Sequence, residues 1–119
     1  MNYTTITINS ETIGLKFGMA SFRYLENKFV EGKSFSNEQI NEIGIANIIY
    51  SGYYNNCLVK DEEQKYSFEY FVDWVEANLK NVESVSEMGR IVEFWSSNDF
   101  IKNDLNKEDA KKKNSRGKK

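Results

Sequence analysis

Between Ile6 and Glu26 the apolar period of the chain changes from two residues to between three and four, and few folds absorb that change in so short a span. Ile6 and Ile8 alternate with threonines, Asn9 to Thr12 supplies turn chemistry, and Ile13, Leu15 and Phe17 alternate again. Two strands with one shared apolar face, joined by a tight turn, satisfy this pattern. Gly18 interrupts the second run, and from Met19 the apolar positions fall at Met19, Phe22, Leu25 and Phe29, one stripe of a helix. The stripe predicts a helix lying across the hairpin's apolar face.

Three more helices are expected. Gly32 to Phe35 reads as a loop, and Ser36 faces Gln39 at capping-box spacing, opening a second helix. On that helix Ile40, Ile43, Ala46, Tyr50, Tyr53, Tyr54 and Cys57 share one side, while Ile45, Ile48 and Ile49 populate the other. A helix apolar nearly all round belongs at the centre of a fold. Gly44 and Gly52 each weaken it by roughly 1 kcal/mol relative to Ala, which predicts neighbours that approach its backbone closely. After the charged connector Lys60 to Lys65, Ser67 caps a third helix with the core stripe Phe68, Phe71, Val72, Val75 and Leu79, leaving Tyr70 and Trp74 on its far side. Ser84 and Glu87 repeat the capping-box spacing and predict a fourth helix with Val85, Met88, Ile91, Val92 and Trp95 inward, and Phe94 and Ile101 directed elsewhere. The chain has no proline, so nothing forces these helices to break. The fold class expected is therefore α+β, an N-terminal β-hairpin followed by about four α-helices.

The 119 residues suit one domain, long enough to bury about two thirds of the surface an unfolded chain exposes. Aromatics at 14% favour an ordered core. Charge is segregated. Residues 1–105 carry 9 Lys and Arg against 16 Asp and Glu, a balance of −7, whereas residues 106–119 carry 7 against 2, a balance of +5. The second segment lacks any large apolar residue, so the expected organisation is a folded domain over residues 1–105 and a flexible, disordered Lys-rich tail over 106–119. An acidic body argues against nucleic acid as the main partner, because phosphate binding rests on clustered Lys and Arg. One cysteine, Cys57, cannot close an internal disulfide, and no signal-like or membrane-spanning run of roughly 20 apolar residues is present, so a cytoplasmic location and no membrane partner are expected.

Chemistry is sparse. The absence of histidine removes the commonest general base and metal ligand together. A lone cysteine cannot build a zinc site, and Cys57 reads as a small buried apolar residue. Asp61-Glu62-Glu63 lacks the alternating oxygen ligands of a calcium loop, and Glu69, Asp73 and Glu76 read as a solvated helix face. Gly14, Gly18 and Gly32 are isolated, so no phosphate cradle forms. The expectation is a protein with no catalytic residues, no metal and no cofactor.

The string from Ile6 through the turn, then Ile13, Leu15, Lys16, Phe17, Gly18, Ala20 and Leu25-Glu26, resembles the start of the small tail assembly chaperones of long-tailed bacteriophages. The likeness continues through the small-residue and tyrosine stretch from Ala46 to Tyr54 and the Ser67-Phe68-Glu69 helix start ahead of Val72, Asp73 and Trp74, covering roughly residues 4–102. Its motifs are apolar pattern and residue type rather than a chemical signature. The resemblance implies a chaperone that coats apolar helices of the tape measure protein and keeps them soluble until tail tube subunits assemble. It further implies several copies per tape measure protein, so a homo-oligomer is among the expected states. A longer form made by ribosomal slipping would recruit the tail tube protein, and Lys111-Lys112-Lys113-Asn114 requires the adenine-rich codons on which slipping occurs.

The alternative is a small cytosolic protein-interaction or adaptor domain of bacterial or mobile-element origin, with a homo-oligomeric interface in place of the tape measure contact. Under either reading the candidate partner-binding residues are Tyr53, Tyr54, Tyr70, Trp74, Phe94 and Ile101, aromatic and aliphatic groups that either add core layers or form an exposed patch.

Overall fold

A computed structural model describes residues 2–29 and 42–97, the side chains at 28, 29, 42 and 43 excepted. The order of elements is β1 (Tyr3–Ile8), β2 (Glu11–Lys16), α1 (Met19–Phe29), α2 (Glu42–Lys60), α3 (Phe68–Ala77) and α4 (Val82–Ser96). The chain is thus α+β, an antiparallel hairpin followed by four helices. The expected Gly32–Phe35 loop, the Ser36 cap, Ile40, the Phe29 and Ile43 side chains, Ile101 and the tail from Asn106 lie outside the described residues.

The hairpin turn is shorter than the sequence suggests. Ile8 pairs with Glu11, so only Asn9 and Ser10 turn, both in the left-handed region at φ 51° and 68°. Two consecutive positive φ values define the turn whose twist matches that of the strands, and asparagine tolerates that region better than most residues. Thr4, Ile6 and Ile8 face the core beside Leu15, Ile13 and Glu11, their cross-strand partners, and the four large apolar members of this set are buried.

The hairpin's cover differs from expectation. The helix packed on β2 is α2, and α1 rests on α2 in turn. Gly52 makes this approach possible: a Cβ there would lie 2.7 Å from Phe17 Cε1 and 3.0 Å from Leu15 Cβ. On α1 the inward residues are Ser21 and Leu25, with Phe22 half-buried and Met19 exposed, so the expected stripe is rotated. The rotation follows from the surface α1 meets. Asn47, Ser51 and Asn55, spaced four apart on α2, are all buried and all bond to α1. The central position of α2 is as expected, for it touches β2, α1, α3 and α4.

On α3, Ser67 caps as expected, its Oγ accepting from the Tyr70 N–H at 3.2 Å. The buried residues are Phe71, Trp74 and Val75, with Phe68 and Val72 half-buried at the margins. Leu79 is exposed because the helix ends at Ala77 and the stripe ends with it. The N-cap of α4 is Asn81 rather than Ser84, and Asn81 Oδ1 accepts from the Ser84 N–H at 2.9 Å. A competent capper one turn upstream lengthens the helix and places Val85 in its exposed first turns. Met88, Ile91 and Trp95 face inward as expected.

Candidate protein-binding surface

The five described residues among those expected to bind a partner do not form one surface. Tyr53 is 6% exposed, and its hydroxyl accepts the backbone N–H groups of Lys65 and Tyr66. Burial raises its pKa. It pins the connector between α2 and α3 from inside. Trp74 is 8% exposed, within the core, where a far-side position was expected. For Trp74 this corrects the expected position, and the cause is that a helix flanked by several neighbours buries a wider arc than one stripe.

The remaining residues are half-buried. Tyr54 stacks on Tyr50 at 6.4 Å and 19°, and Tyr24 tilts against both. Tyr70 stacks on Tyr66 at 4.6 Å, and its hydroxyl accepts from Asn9 Nδ2 at the hairpin turn. Tyr66 in turn donates to the Glu11 carboxylate, and that bond, ahead of burial, pushes its pKa up to about 12. Phe94 lies against Phe17, ring centres 6.1 Å apart. Ile101 is outside the described residues. The described aromatic candidates therefore tie elements together.

Among the described residues, Tyr3 and Met19 apart, the large apolar side chains that protrude are aliphatic. At the corner where α3 gives way to α4, Leu79, Val82 and Val85 are exposed, Val82 to 80%. The tight connection from Asn78 to Asn81 sets them there: the Asn81 N–H bonds Asn78 O, Ser84 Oγ donates to Asn78 Oδ1, and Val82 and Val85 then share one face of the first turn. Leu58 and Val59 form a second outcrop at the end of α2, exposed to 55% and 61%. Sequence reading missed both groups, because it assigned Leu79 and Val85 to the core and passed over Val82. A signal was present in the tetrad from Asn78 to Asn81, where two asparagines bracket a helix break.

Among the described residues no helix is long and apolar enough to cross a membrane. Cys57 is buried, as expected of a small apolar residue. No protein-family model, curated protein or solved structure matches the chain. The class defined by fold and surface is a small α+β domain whose described surface carries two aliphatic outcrops.

Proposed function

We propose that this chain is a non-catalytic chaperone of the host-cell cytoplasm, a phage tail assembly chaperone that binds apolar helical stretches of a tape measure protein and holds them soluble during tail tube assembly. The observation that carries the reading is the aliphatic corner Leu79, Val82 and Val85, because a side chain exposed to 80% beside two others gains free energy only when a partner covers it. The sequence likeness supplies the partner's class, and the hairpin leading into helices agrees with what that likeness implies. Contact through a shallow aliphatic patch suits an apolar helix laid across it. A slipped longer form would bring the tail tube protein to the same complex, and self-association would hide the corner when no partner is present.

The test is co-expression with a long helical tape measure protein, sought among the neighbouring reading frames. The expected result is that the long protein is soluble only when the chain is present, and that Val82→Asp with Val85→Asp removes the rescue while the chain stays folded. A rescue that survives both aspartates overturns the assignment of the corner. A long protein that stays insoluble with the intact chain overturns the chaperone reading.

A further inference from the structure

The two free edges of the hairpin are treated differently, and the difference marks a binding site. Ile8 and Glu11 close a two-residue turn, and the Phe17 N–H bonds Asn2 O at 2.7 Å, so odd-numbered residues of β2 and even-numbered residues of β1 pair with each other. The groups that point away are those of Thr5 and Thr7 on β1, and of Thr12 and Gly14 on β2. On β1 that edge is closed by α4. Arg90 donates to Thr5 O at 2.5 Å and to Thr4 Oγ1 at 3.0 Å, while Glu87 accepts the Thr7 N–H. The Arg90 guanidinium, 2.7 Å away, holds the Glu87 carboxyl below the usual carboxylate range.

On β2 no described residue plays that part. Among the described residues the outward N–H and C=O groups of Thr12 and Gly14 have no hydrogen-bond partner. They border a groove of about 210 Å³ between β2 and the last turns of α2, walled on its far side by Lys65 and Tyr66. Asn56 projects into it. Its residue is only 8% exposed, yet its amide makes no hydrogen bond among the described residues, and its Nδ2 sits 2.7 Å from where a Cβ on Gly14 would be. The Asn56 amide atoms still reach solvent in the groove, so they can exchange water for the polar groups of a ligand.

We propose that this groove binds a single extended peptide segment of a partner protein, which adds as a third strand along Thr12 to Gly14 with one of its peptide groups bonded to the Asn56 carboxamide. The occupant follows from the groups on offer. A strand edge alternates donor and acceptor at the strand spacing, and a carboxamide presents one of each, so only another backbone matches all of them. The carboxylates of Glu11, Glu62 and Glu63 outnumber the two lysines of the lining, so the segment is basic, with small apolar residues turned toward Ile13 and Cys57.

Fluorescence polarisation with a labelled Lys-Val-Lys-Val-Lys peptide tests this on the full chain, with amide chemical shifts read alongside. Saturable binding is expected, with shifts at the Thr12 and Gly14 N–H and the Asn56 side-chain amide, and weaker binding of Glu-Val-Glu-Val-Glu. Thr12→Pro removes one outward N–H without touching the β1 ladder, and affinity is expected to fall about tenfold. Should that variant unfold, Asn56→Leu carries the test with the same expected loss. No saturation by the lysine peptide, shifts confined to other residues, equal binding of the glutamate peptide, or unchanged affinity in the folded variants would each overturn the proposal.

Discussion

Helix α2 meets α1 and the rest of the molecule by opposite means. Toward α1 it presents Asn47, Ser51 and Asn55. Tyr24 donates to Asn47 Oδ1 at 3.2 Å, Ser21 and Ser51 hydroxyls lie 2.8 Å apart, and Asn55 Oδ1 accepts the N–H groups of Gly18 and Ser21 at 3.1 and 3.0 Å. Because Ser51 Oγ already donates to Ile48 O, Ser21 is the donor between the two serines. Gly18 O accepts the first bond of α1, which makes Gly18 its N-cap and Ser21 the third helical residue. Glycine has no side chain to cap with, so Asn55 does so from another helix. Toward the hairpin and α3, by contrast, α2 presents Gly52 to Leu15 and Phe17, and Tyr53 to Phe71 and Tyr66. Apolar burial supplies strength without direction, whereas hydrogen bonds at fixed spacing set the register in which α1 sits.

The largest test of this contrast is Phe71→Ala, which removes a fully buried ring and is expected to cost about 4 kcal/mol in urea unfolding. Asn55→Ala should cost about 2 kcal/mol by stranding two buried N–H donors, and should speed amide exchange in the first turn of α1 more than in α3. If the two variants proved equally costly, or if exchange rose evenly, the division of labour would be wrong. Alkali probes the seam separately. Burial, and then Tyr50, push the Tyr24 phenol up from 10.0 to about 12, so its neutral form favours the folded state. The stability it contributes is full below the unfolded value and is lost as pH rises through the folded one. Between those limits Tyr24→Phe should lose less stability than the parent, read by phenolate absorbance and circular dichroism together. The smallest effect lies outside both regions. Asp61 holds φ 54° after α2, with the N–H of Glu62 bonded to Cys57 O and its own to Leu58 O, so Asp61→Gly should stabilise by about 0.5–1 kcal/mol in the same urea assay.

Much of the fold was legible because period alone separates strands from helices in this chain, and the central place of α2 followed from its apolar circumference. The partner of each helix was not legible. Asn47, Ser51 and Asn55 read as ordinary polar positions, since spacing cannot tell a buried hydrogen-bonded stripe from a solvated one. Assigning α1 to the hairpin came from ignoring that stripe. Trp74 and Val85 were misplaced for a related reason: a wheel assumes one buried arc and a known start, whereas α3 has several neighbours and α4 begins at Asn81. The exposed Leu79, Val82 and Val85 were not legible as a surface, since Leu79 and Val85 fit a core stripe by spacing, and the described aromatic candidates went largely into packing.

The Arg90 and Glu87 seal on β1 also sets a schedule. Thr5 and Arg90 are 85 residues apart, and synthesis at about 5–20 residues per second puts roughly 4–17 s between their emergence from the ribosome. Throughout that interval the first strand travels with a bare flank, available to any neighbouring nascent chain on the same messenger. Crowded polysomes are thus one setting in which this small domain is exposed to mispairing.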